Sequence, residues 1–147
     1  MGIIKFIFVI SLMSIFLCGQ TVLSEGFDYL KQVKKYVKCE AVLNVTANVL
    51  SASEEEFYQH EAHHASIDSR IIALEFARVG GHSVEEVDEL FYLYLTEYRN
   101  VLQEKEANDE LESFINSLRP LAEDCEELNA MQEDIIARRK EEIDYPK

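Results

Sequence analysis

Five consecutive residues, His60-Glu61-Ala62-His63-His64, match the H-E-x-x-H pattern of zinc metalloproteases. Histidines four apart share a helix face and grip one zinc ion, and the intervening glutamate activates its bound water. Glu85 or Glu86 stands at the downstream distance where some such enzymes place a third ligand. The surroundings argue against a peptidase. That chemistry needs a substrate-binding sheet and a cleft ahead of the motif, and here one helix precedes it. Three of the chain's four histidines fall in this patch, so a chance match is cheap. The expectation is a protein with no catalytic residue.

A simpler metal reading uses fewer residues. Glu56, His60, His64 and Asp68 recur every four residues and form one polar ladder along a helix. His60 and His64 at this spacing suit zinc, copper or nickel, with His63 or His82 in assistance. The alternative is a solvated face opposite Phe57 and Ile71, where Glu–His pairs four apart support the helix. Imidazoles also titrate near pH 6.5, which admits a pH-sensing use of the cluster that nothing in the sequence specially favours. The sequence leaves zinc on His60 and His64 as the candidate cofactor site, and leaves these alternatives open. It contains no Cys-x-x-Cys pair, glycine-rich phosphate loop or recognisable nucleophilic triad. Asn44-Val45-Thr46 is a glycosylation sequon, but helical periodicity with apolar neighbours makes it a poor acceptor.

The elements that must position these residues read as helices almost throughout. Residues 27–50 carry Val33, Val37, Ala41 and Val45 on one stripe, and Tyr36, Cys39, Leu43 and Leu50 on another. Apolar character on two faces predicts a helix packed on both sides. Ser53 with Glu56 is a capping box for a second helix, which Gly80-Gly81 ends. Ser83 with Glu86 opens a third, with Val84, Val87, Phe91, Tyr94, Leu95, Tyr98, Val101 and Leu102 at 3-4-3 spacing, widened by Leu90 and Leu93. Tyr92, Tyr94 and Tyr98 fit packing at the edge of the core, their hydroxyls reaching water.

Asn108-Asp109 is the next start signal. One stripe then runs from Leu111 to Ile136 across Pro120, where a kink or short break is expected. Strand-like alternation is missing. The prediction is an all-α, small antiparallel four-helix bundle whose last helix is kinked near Pro120. Residues 25–137 form the helical domain, and residues 138–147, mixed in charge, form a flexible tail.

The amino end has its own signature. Residues 3–17 are an apolar run with one lysine, Lys5, followed by small and polar residues. That is the layout of a secretory signal peptide, residues 1–24, with cleavage after Ser24 preferred over cleavage after Gly19. A retained anchor would need about 20 apolar residues, and lipid attachment at Cys18 would want a smaller residue than Leu17 before it. Removing the signal discards Cys18 and leaves Cys39 and Cys125. An exported chain with one cysteine pair is expected to close one disulfide. In an up-down-up-down bundle the first and fourth helices are neighbours, which puts the two cysteines at similar height.

Charge narrows the partners. The formal charge is −14, and loss of Lys5 with the signal makes it −15. Nucleic acid and anionic membranes are excluded as partners by that sign, because both require a cationic surface. A cationic protein or a divalent cation fits; the plain alternative is a charge that only keeps the chain in solution.

The exported layout, Cys39 and Cys125 near opposite ends, and the Gly80-Gly81-His82-Ser83-Val84-Glu85-Glu86-Val87-Asp88 helix start together resemble the small, exported, all-helical proteins of Gram-negative bacteria and their phages. The resemblance implies location and fold and carries no active-site residue. The signal lacks an Ala-x-Ala ending, which leaves a eukaryotic secreted origin open. The functional expectation is a non-catalytic periplasmic or secreted binding or inhibitory protein acting on a cationic partner. A basic cell-wall hydrolase such as a lysozyme is one such partner, and a phage exclusion or lysis-control factor fits the same description. A metal-binding protein built on His60 and His64 is the competing expectation.

Overall fold

The run Ala41-Val42-Leu43 places apolar side chains all round a helix, and such a helix can hide them only at the centre of a bundle. The computed structural model, which describes residues 27–50 and 56–144, shows this arrangement. Helix α1 spans Tyr29–Leu50, and Asp28 caps it by accepting the Lys31 N–H at 2.9 Å. Its five valines are poor helix formers, so burial rather than propensity holds it helical. Val33, Val37, Val42, Leu43 and Val45 are almost wholly withdrawn from water. Each such side chain contributes about 1.5–3 kcal/mol.

Helix α2 (Glu56–Gly80) runs antiparallel to α1, with Ile72, Ala73 and Ala77 against Val33, Tyr36 and Val37, and Ala65 beside Leu43. It ends where the sequence says. The His82 N–H reaches the Ala77 carbonyl, the Gly81 N–H reaches that of Arg78, and Gly81 takes φ +76°. Gly80 serves a separate purpose: a Cβ there would lie 2.5 Å from the Tyr29 Cβ, so glycine lets the end of α2 touch the start of α1. The Ser53 cap lies outside the described residues.

Helix α3 (Val84–Ala107) opens on the expected capping box, with both Ser83–Glu86 hydrogen bonds formed. It runs parallel to α1, burying Val87 and Leu95 and half-burying Leu90, Phe91, Tyr94, Tyr98 and Leu102. The stripe is narrower than its sequence suggests. Leu93 is 62% exposed and Tyr92 64% exposed, so neither is core.

Asn108-Asp109 closes α3 instead of opening the next helix. Asp109 takes φ +57°, and the Glu110 N–H returns to the Lys105 carbonyl. Asn and Asp tolerate this left-handed conformation better than other non-glycine residues, so the pair serves as a carboxyl-end stop.

Helix α4 (Leu111–Ala130) is antiparallel to α1 and continues through Pro120. Pro120 is exposed, and the carbonyl it leaves free, on exposed Asn116, faces the same water, so no interruption falls there. The chain turns at Met131-Gln132 and starts α5 (Glu133–Asp144). Among the described residues the bundle therefore has five helices rather than the four expected. A straight α4 would carry Ile135 and Ile136 past the end of the bundle, and the turn folds them back against the core. The segment expected to fray from Arg138 is helical to Asp144. Arg139 pairs with Glu75, and Lys140 Nζ lies 2.7 Å from Asp68 Oδ1. No strand occurs among the described residues, and no helix of theirs is long and apolar enough to cross a membrane.

The Cys39 and Cys125 sulfurs are bonded, joining α1 to α4 with a Cα separation of 5.4 Å. They close an 86-residue separation, worth about 4 kcal/mol on the chain-entropy account. The double variant Cys39→Ser/Cys125→Ser should keep its helical circular dichroism spectrum while its Tm falls by roughly 10–20 °C. Equal melting of the two proteins would show that the bridge does not stabilise the bundle.

Candidate functional site

The sequence-predicted ladder keeps His60 and His64 together and loses Asp68; the Glu56 side chain lies outside the described ones. His60 and His64 stand exposed on the outer face of α2 with their Nε2 atoms 3.0 Å apart. The His63 ring centre lies 6.2 Å from that of His64. Asp68, the next rung, is held by Lys140 of α5. Glu61 faces a cavity on a different side of the helix. Among the described residues no group of three or more His, Cys, Asp or Glu side chains is arranged to hold a metal.

The proposed third peptidase ligands are far away. Gly80 stands sixteen positions beyond His64 on α2, roughly 24 Å of helix at 1.5 Å per residue. Glu86 is engaged with the Ser83 backbone, and its carboxylate lies 3.4 Å from Nδ1 of half-buried His82. His82 is equally remote from the ladder.

A cavity of about 260 Å³ opens between the end of α1, the start of α2 and the middle of α4. Val49, Leu50, Ala62, Ile115, Leu118 and Ala122 make its walls apolar. Three carboxylates, Glu61, Glu123 and Glu126, also line it, with one guanidinium, Arg119, and the Tyr58 ring. Burial raises the Glu126 carboxyl above its ordinary value, and the negative charges of Glu61 and Glu123 raise it further. No ion-pair partner for these three glutamates occurs among the described residues. A cation placed here would relieve their mutual repulsion.

Elsewhere buried carboxylates are tied to arginines of neighbouring helices and act as clasps. Glu75 receives Arg78 from its own helix and Arg138 and Arg139 from α5. Hydrogen bonds from Arg78, and then Arg139, hold its carboxyl down at about 2. Glu40, buried on α1, shares Arg70 with Asp88 of α3. Burial outweighs that half-share and pushes Glu40 up to about 7. Asn129 joins α4 to α2, accepting from Ser69 at 3.0 Å and donating to the Ala65 carbonyl at 2.8 Å.

Two features lie outside the sequence-based expectations, and one of them could have been read there. The cavity gathers residues from three helices, so no local motif announces it. The chain's charge is also segregated: Lys31, Lys34, Lys35 and Lys38 are all exposed at 3-1-3 spacing along the first half of α1. That spacing is legible as a basic face. The Asn44 sequon is placed as expected, within α1, where Asn44 Oδ1 accepts from Asn48 at 3.0 Å and Val45 is buried. No protein-family model, curated protein or solved structure matches this chain.

The two buried glutamates give opposite pH dependences. Glu75 is lowered, so its contribution is present above pH 4.5 and is lost as pH falls through about 2. Glu40 is raised, so its contribution is present below pH 4.5 and is lost as pH rises through about 7. Urea unfolding across pH 2–8 should show Glu40→Gln flattening the decline between about 4.5 and 7. Glu75→Gln should lower stability at neutral pH by roughly 2–4 kcal/mol and flatten the acid limb. A wild-type pH profile in both variants would contradict these assignments.

Proposed function

We propose that this chain is an exported, non-catalytic binding or inhibitory protein whose partner is a cationic protein. The observation that carries the reading is the cavity between α1, α2 and α4, where Glu61, Glu123 and Glu126 share an apolar pocket with a single cation, Arg119, among the described residues. Three carboxylates outweigh the single Arg119. An arginine or lysine from a partner fits this combination: its aliphatic stem covers Leu118 and Ala122 while its head meets the carboxylates. The formal charge of −14 adds long-range attraction for such a partner.

The bonded Cys39–Cys125 pair supports export, because disulfides persist in oxidising compartments. It accords with the apolar, signal-like residues 3–17 and with the likeness to small exported helical proteins of Gram-negative bacteria and phages. A basic cell-wall hydrolase is a partner of the right sign and location.

The reading makes affinity salt-dependent, since steering between opposite charges is screened over about 8–10 Å at ordinary ionic strength. A pull-down from envelope extract at low and high salt should recover a basic protein that is lost as salt rises. Glu123→Lys/Glu126→Lys should weaken capture by roughly tenfold or more, whereas Glu104→Lys, exposed on α3, should change it little. Recovery of no partner, or of one indifferent to salt and to both substitutions, would overturn the proposal.

A further inference from the structure

The ring contact on the outer face of α2 has chemistry separate from the cavity. His60 Nε2 and His64 Nε2 lie 3.0 Å apart and edge to face, with ring centres 4.4 Å apart. In that contact one ring's N–H donates to the other's lone pair, so two nitrogens share a single proton. A metal ion can take that proton's place. Two nitrogens bound to one tetrahedral ion at 2.0–2.1 Å stand about 3.4 Å apart, so the rings need to open by only a few tenths of an ångström. Both side chains are exposed, and their backbone spacing is fixed by a helical turn.

We propose that His60 and His64 form a two-nitrogen chelate for a divalent transition metal, with the remaining coordination positions open to water. Both rings bind through Nε2: the proton of the donating ring moves by way of water from Nε2 to its own Nδ1, both imidazoles stay neutral, and the ion takes the place that proton held. The geometry selects this pair from the four histidines. His63 leaves the face that His60 and His64 share, and its ring is 6.2 Å from that of His64. His82 lies at the far end of α2 beside Glu86. Asp68 is neutralised by Lys140, which removes it as a ligand but leaves the two imidazoles accessible. The chain's negative charge favours a cation nearby without supplying further ligands. An imidazole pair orders divalent ions by the Irving–Williams series, with copper bound most tightly and nickel and zinc less so.

Calorimetric titration of the purified, oxidised protein with copper, nickel and zinc salts tests the assignment. One equivalent should bind per chain in that order, and chelator should reverse it. His60→Ala and His64→Ala should each weaken binding by about tenfold or more, at least the loss seen when a ligand's supporting contact is removed. His63→Ala and His82→Ala should leave it within about twofold of wild type. Both ladder side chains are exposed, so circular dichroism should show the variants fully helical. In a proton spectrum, substoichiometric copper should broaden the His60 and His64 ring signals before those of His82. Binding only in the millimolar range, or His60→Ala binding as tightly as wild type, would reduce the pair to a solvated helix face. An equal loss in His63→Ala would refute the two-nitrogen assignment. Success or failure here is independent of the cationic-partner proposal, whose variants lie in the cavity.

Discussion

Burial of α1 is the constraint on which the rest of the bundle depends. Between Tyr36 and Leu50 most of its side chains are hidden, including every apolar one, so three helices must surround it. That requirement sets the order of packing: α2 and α4 run against it on two sides, and α3 runs with it on a third. The buried helix also carries Cys39, so its covalent link to Cys125 ties the centre of the bundle to an outer helix. A cross-link there fixes both the height and the rotation of α4, and with them the wall of the cavity that α4 supplies.

Charge is handled differently inside and outside this frame. Glu75 is buried, and three arginines neutralise it, two of them from α5. Glu40 has only a share of one arginine and is raised towards neutrality. Both are ways of making a carboxylate tolerable away from water, one by pairing and one by retaining its proton. The cavity carboxylates follow neither pattern fully. Burial first, and then the nearby charges of Glu61 and Glu123, raise Glu126, while all three remain reachable from solvent.

The two candidate sites sit on different faces of α2 and ask different things of the fold. The histidine pair needs only one turn of helix, which any amphipathic segment supplies. The cavity needs three helices held in register. A substitution that loosens the bundle should therefore damage the cavity first. Glu61 belongs to the cavity even though it adjoins His60 in sequence, because successive residues on a helix point about 100° apart.

Local signals in the sequence determined the helical class, the stop at Gly80-Gly81, the Ser83–Glu86 cap, and the pairing of Cys39 with Cys125. Each depends on residues within a few positions, or, for the cysteines, on being the two that fall within the helical domain. The His60–His64 contact was legible for the same reason, since four-residue spacing is a property of one helix. Tertiary structure decided the remainder. Asn108-Asp109 can start a helix or stop one, and only the position of α4 made it a stop. Pro120 lies on the water side, so the helix passed through it, while Ile135 and Ile136 required the chain to turn at Met131-Gln132. Asp68 left the histidine ladder because Lys140 returned with α5, and Glu61 joined Glu123 and Glu126 because α4 packs beside α2. Those contacts join residues about 60 or more positions apart, and their energies depend on distances that sequence spacing does not encode.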